Sequence, residues 1–255
     1  MLHQTLRGRL RALATTDGEL VTLANPLPVT NNTTNIDLAE GSVTGHSHIN
    51  KFGYRDTIPN SFQTIWDGTA DYSYESAAVV TAVADNTTAD NNGTVEVQGL
   101  DQNYAPITET LTIGGSASTS QFIRVFRATI LSANTGSTNV DEVRIKNDGT
   151  DLAIIKAGAG QTLMCVYTVP AGKTGYLLKL SGSVDANNDA LFRIYVRPFG
   201  GAFNVKGQFG VFAAGFNYDY AVPLKFEEKT DIEVKALSQN NVGGGAVFDL
   251  ILKDN

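Results

Sequence analysis

The strongest constraint on this chain is a series of short apolar runs with a two-residue period. They follow one another from about residue 77 to residue 252, separated by turns rich in Asn, Asp and Gly. Residues 107–113 read ITETLTI: Ile107, Glu109, Leu111 and Ile113 share one face, and three threonines take the other. Such alternation describes a half-buried strand and conflicts with the 3.6-residue period of a helix. The same reading predicts strands over 77–83, 94–100, 107–113, 122–131, 143–146, 152–156, 162–169, 175–184, 190–196, 203–212, 218–222, 230–237 and 246–252. The fold class is therefore all-β, an antiparallel β-sandwich of jelly-roll-like form with an extended N-terminal arm. No internal repeat recurs at a fixed period, which excludes propellers and solenoids.

The N-terminal part reads differently. Leu2, Leu6, Leu10 and Leu13 fall at helical spacing, but Asp17-Gly18 is a hairpin-turn signal, so residues 1–25 are expected to form a hairpin rather than a helix. Pro26 and Pro28 then fix extended backbone that suits no central strand. Residues 37–76 hold Phe52, Tyr54, Phe62, Trp66, Tyr72 and Tyr74 without a sustained period. Aromatic content without periodicity predicts an extended arm that buries its aromatics against the same chain or a neighbouring subunit; the expectation is that residues 25–60 pack on a neighbouring subunit. The expected organisation is a hairpin and arm over 1–60, a β-sandwich module over 61–157 and a second β module over 158–255. Residues 157–161, AGAGQ, join the two modules or merely link two strands of one continuous sandwich.

Composition narrows the function. The 255 residues carry a formal net charge of −7. A sequence-independent nucleic-acid binder needs a basic face, and so does a protein docked on anionic lipid; neither partner is expected. No apolar run approaches the roughly 20 residues that span a bilayer. Arg7, Arg9 and Arg11 interrupt the N-terminal leucines, which argues against a signal peptide. The single cysteine, Cys165, lies in the apolar run LMCVYTV and reads as a buried structural thiol of a chain made in a reducing cytoplasm.

No motif carries catalysis or a cofactor. His46 and His48 share one strand face, yet no spacing supplies a third metal ligand. Residues 185–189, DANND, begin like a calcium loop but place Ala190 where its glycine belongs and Val196 where its glutamate belongs. There is no nucleophile elbow, phosphate loop or dinucleotide fingerprint, and no local context singles out a carboxylate pair. The chain is expected to be no enzyme, with no cofactor, no metal and no catalytic residues.

Two features point to contacts. Eight aromatic side chains fall within residues 199–226, interrupted by glycines, among them Phe203, Phe209, Phe212 and Phe216. They suit a sandwich core or the centre of a subunit interface. Arg124 and Arg127 interrupt an apolar strand and, three residues apart, leave it on opposite faces. One is expected at an interface or in an ion pair between sheets; two solvated arginines with packed stems are the alternative. The interface candidates are Phe52, Tyr54, Trp66, Arg124, Arg127, Phe203, Phe209, Phe212 and Phe216.

Four ordered blocks carry a resemblance. GSVTGHSHINKFGYRDTI (41–58) with TIWDG (64–68), VEVQGLDQNYAPITETLTIGG (95–115), FIRVFRATIL (122–131) and GAGQTLMCVYTVPAGKTGYLLKL (158–180) together resemble virion structural proteins of tailed bacteriophages, particularly marine ones. The resemblance implies a non-enzymatic particle component assembled in the host cytoplasm. The expected role is a capsid decoration or cement protein on the capsid surface, a homotrimer whose partner is the major capsid protein. A tail, collar or fibre component that contacts the host surface is the alternative.

Overall fold

The computed structural model describes residues 34–255, apart from residues 86, 186 and 213. The chain divides into two units, residues 1–43 and 44–255. The described part of the first holds one short helix, α1 (Thr34–Ala39), followed by a turn in which Gly41 has φ +72°. The hairpin expected over 1–25, and the start of the expected arm, lie outside the described residues.

The second unit is antiparallel β throughout. Its first strands are β1 (His46–Ile58), β2 (Gln63–Thr64), β3 (Ala82–Asp85), β4 (Thr94–Leu100) and β5 (Pro106–Thr112). Then come β6 (Arg124–Ser132), β7 (Val143–Asn147), β8 (Thr150–Ile155), β9 (Val166–Thr168) and β10 (Lys173–Val184). The last are β11 (Asp189–Arg197), β12 (Asn204–Phe212), β13 (Gly215–Phe226), β14 (Asp231–Leu237) and β15 (Val242–Asp254). One sheet runs β1-β15-β10-β13, and a second runs β12-β11-β14-β2 with β9 also paired to β14. Residues 82–155 form two three-stranded sheets of their own, β3-β7-β8 and β5-β4-β6.

Alternation places the cores. Phe248, Leu250 and Leu252 of β15 face Phe192, Ile194 and Val196 of β11 and Ile232, Val234 and Ala236 of β14 in the sandwich core. Val95, Val97, Leu111, Phe122, Val125, Ile145 and Leu152 make a separate core for residues 82–155, joined by Trp66 and Met164. Burying such a side chain contributes about 1.5–3 kcal/mol, so two cores of this size leave no need for a disulfide. Cys165 is buried and free, and desolvation pushes its thiol up, as a structural thiol should be.

The predicted strand order holds, with three corrections. The run at 77–83 is mostly irregular; only Val79 bridges to Phe122, and the strand starts at Ala82. The run at 162–169 shortens to β9, because Thr162 and Met164 are used in bridging contacts to other segments. The run at 218–222 grows to twelve residues and includes Pro223, which an edge strand tolerates.

The arm needs a finer description. Residues 46–58 are extended, and they form a strand paired with the chain's own β15, from His46–Lys253 to Ile58–Val242. The strand escapes pattern reading because its inward positions are Lys51, Gly53 and Arg55, while Phe52 and Tyr54 take the outer face. Arg55 donates to the carbonyls of Thr57, Thr64, Gly68, Thr69 and Ala70 and to Gln63 Oε1, so one side chain gathers the whole 63–70 loop. Gly53 lies against backbone: a Cβ there would meet the Ile65 carbonyl oxygen and approach the Cys165 nitrogen to 2.5 Å.

Candidate functional site

Two places in the second unit bring chemistry-bearing or apolar side chains together. The first is a buried ionic centre. Asp231 opens β14, where it stands cross-strand from Arg197 of β11 and Thr168 of β9. Arg124 reaches it from β6, in another sheet. Arg124 Nε donates to Asp231 Oδ1 at 2.8 Å and Nη2 to Oδ2 at 3.2 Å, while Arg197 Nε and Nη2 donate to Oδ2 at 2.9 and 2.6 Å. Thr168 Oγ1 donates to Oδ1 at 2.6 Å. The Asp231 carboxylate thus accepts from three side chains, which a buried anion requires. Arg124 is only 6% exposed, and its Nη1 donates to the carbonyls of Glu75 and Ile123 at 2.9 and 2.7 Å. Burial works against its charge; the hydrogen-bonded Asp231 overcomes this and holds the guanidinium protonated.

Aromatic rings pave this centre. Both guanidiniums stack near Tyr74, Arg124 at 5.1 Å and Arg197 at 4.7 Å from the ring centroid; Arg197 also lies 4.6 Å from Phe203. Above it opens a cleft of about 310 Å³, whose mouth carries Phe199, Gly200 and Lys229. Phe199 is 64% exposed and meets Tyr104 edge-on at 5.6 Å. Lys229 Nζ lies 5.1 Å from the Phe199 ring and 5.7 Å from Tyr104.

The second place is the flank where both sandwich sheets end. β12 closes one sheet and β13 the other, and among the described residues each has one edge without a strand partner. Between them runs an aromatic column: Phe209 stacks on Phe216 at 4.6 Å with planes 3° apart, and Tyr218 and Tyr220 continue it at 5.3 and 4.8 Å. Phe209 and Phe216 pack against the sandwich core. On the outside stand Phe212, 76% exposed, and Val222, 80% exposed, with Val205 and Tyr218 also exposed.

The interface candidates therefore separate. Trp66 is 3% exposed in the second core, with Nε1 donating to the Ala70 carbonyl, so it offers no surface. Arg124 is buried as well, in an ion pair between sheets. Arg127, on the other face of β6, donates to the Asn50 carbonyl at 2.8 Å. Phe52 and Tyr54 are half-buried on the outer face of β1, and Tyr54 donates to Asp185 at 3.3 Å. Phe203, Phe209 and Phe216 are half-buried, and Phe212 alone of the nine is exposed. Asp231, Tyr104, Phe199 and Lys229 are absent from the candidates; the one available signal for Asp231 was an arginine inside an apolar strand, which demands a carboxylate.

Among the described residues, no group of three or more His, Cys, Asp or Glu side chains is placed to hold a metal. His46 Nδ1 contacts the Thr44 carbonyl at 3.0 Å, and His48 Nε2 contacts Asp249 at 3.1 Å. No described helix is long and apolar enough to cross a membrane.

No protein-family model matches the sequence, and no curated protein matches it. Among solved structures, the chain is similar to that of infectious bursal disease virus Gx strain at 10% identity and TM-score 0.21, over 81% of this chain and 70% of that one. It is similar to the Gt strain structure at 9% identity and TM-score 0.21, over 86% and 77% of the two chains. It is also similar to the infectious bursal disease virus VP2 subviral particle at 10% identity and TM-score 0.20, over 82% and 72%. Likeness at this level assigns no function.

Proposed function

We propose that this chain is a non-enzymatic virion structural protein of a tailed bacteriophage, a decoration or cement protein that binds the major capsid shell and stabilises it. The observation that carries the reading is the β12–β13 flank. Two neighbouring edge strands with Phe212 and Val222 turned outward form an association surface, because free edges and exposed apolar side chains invite pairing unless a partner covers them. The four sequence blocks that resemble phage virion proteins supply the kind of particle, and the acidic, all-β body suits a shell component. Self-association through this flank, as a trimer, would close the edges by symmetry.

Quantifying the protein against the major capsid protein in purified particles tests the role. A cement protein is present in hundreds of copies. A copy number in the tens or fewer would overturn it in favour of a tail, collar or fibre component.

A further inference from the structure

The cleft above the ionic centre has the makings of a ligand site. Its floor is rigid: every nitrogen of Arg124 is engaged by Asp231, Tyr104 or the backbone carbonyls, so the floor is a scaffold. Its rim is the reverse. Among the described residues, the Lys229 ammonium has no hydrogen-bond or ion-pair partner and rests only against the ring faces of Phe199 and Tyr104. Arg197 spends Nε and Nη2 on Asp231, which leaves the two donors of Nη1 outside those bonds. Lys229 also has φ +59°, a backbone conformation that lysine seldom adopts, and strain of this kind gathers at binding sites. One unpaired ammonium beside the spare Nη1 donors of an ion-paired arginine, in one cleft on a chain of net charge −7, selects an anion.

The rest of the lining says which anion. Glu75 and Ser76 stand in the same cleft and can accept hydrogen bonds from hydroxyl groups. Phe199 offers an exposed ring face to a flat, weakly apolar surface. A bare phosphate has no hydroxyl groups to give Glu75 and Ser76 and no C–H face to lay on Phe199. A pyranose with a carboxylate satisfies each group at once: its carboxylate meets Lys229 and Arg197, its hydroxyls meet Glu75 and Ser76, and its C–H face lies on Phe199. A cleft of about 310 Å³ is at the small end of ligand sites and suits one such ring. We propose that this cleft binds one carboxylated sugar ring, a uronic acid unit of an acidic polysaccharide.

Isothermal titration calorimetry on the full-length chain tests this, with short oligomers of glucuronate and of galacturonate, the matching neutral oligomers and inorganic phosphate as probes. One of the two uronates should bind at millimolar concentration or better, and its neutral counterpart about tenfold more weakly. Lys229→Gln and Phe199→Ala alter only rim side chains; each should weaken uronate binding about tenfold or more while the thermal unfolding midpoint stays unchanged. Binding of neither uronate would overturn the proposal. So would equal affinity for neutral and acidic oligomers, phosphate binding as tightly as the uronate, or uronate binding unaffected by both substitutions. The outcome is independent of where the protein sits in a particle, since purified chain is measured.

Discussion

Arg124 is held by more than its charge. Its guanidinium lies between Tyr74 and Tyr104 and binds a carboxylate that Arg197 and Thr168 also bind. Arg124→Ala would leave part of Asp231 uncompensated inside the protein, and such losses cost about 3–5 kcal/mol. Arg127→Ala removes one partly buried hydrogen bond to the Asn50 carbonyl and should cost about 1 kcal/mol. Urea unfolding of the two variants measures the difference; equal effects would contradict the assignment. Four other buried groups make stability depend on pH. Desolvation, helped by the nearby Arg127 charge, lowers Lys51 from 10.5 to about 7. Desolvation raises Glu233 from 4.5, and Asp67 from 3.8, to about 7. The two carboxyls hold more protons folded than unfolded between their ordinary values and 7, so stability falls as pH rises to neutrality. Lys51 holds fewer folded than unfolded between 7 and 10.5, so stability then climbs, until Cys165, pushed up from 9.0 by burial, offsets it. Urea midpoints between pH 5 and 9 should therefore pass through a minimum near pH 7. Lys51→Met should flatten the alkaline limb, and Glu233→Gln should shallow the acidic one. The sequence displayed Arg124 as an intruder in an apolar strand but hid its partner. Asp231, Glu233 and Lys235 alternate with Ile232, Val234 and Ala236 as a solvated face would, and only packing against other segments turns that face inward.

Among elements, β12 offers the sharpest test of how alternation allocates roles. Phe209 and Phe212 are three residues apart and leave the strand on opposite faces, one stacked on Phe216, the other in solvent. Phe209→Asp should place a charge against the core and destabilise the fold by about 4 kcal/mol or more. Phe212→Asp should leave the unfolding midpoint almost unchanged and abolish self-association, read by analytical ultracentrifugation. If Phe212→Asp sediments as the parent does, the flank is no interface. β4 and β11 were legible almost to the residue because their inward positions are aliphatic or aromatic. β1 was not, because a strand whose inner face is Lys51, Gly53 and Arg55 has no apolar period to detect. Gly53→Ala tests that face directly: the methyl would collide with backbone, which cannot move as a side-chain tip does, and the loss should be about 2–3 kcal/mol.

For the whole molecule, the seam at residue 43 sets what can be removed. Deleting residues 1–43 should leave a body with a strand-dominated circular dichroism spectrum and a cooperative melt, because every described strand begins after it. Deleting residues 1–60 takes β1 away, exposes the β15 edge and strips the 63–70 loop of Arg55; that chain should melt at much lower temperature or fail to fold. Comparable melts for the two truncations would show that β1 is dispensable. The pairing of β1 with β15 has a further consequence in time. Phe52 lies opposite Val247, a separation of roughly 200 residues, which makes the contact slow to form. At ribosomal rates the partner emerges on the order of ten to forty seconds after β1 does. Through that interval β1 is an unpaired strand beside a growing chain, the circumstance in which apolar strands aggregate. The lysine and arginine on its inner face, which conceal the strand from pattern reading, give the waiting segment the charge that keeps it from pairing with the wrong neighbour.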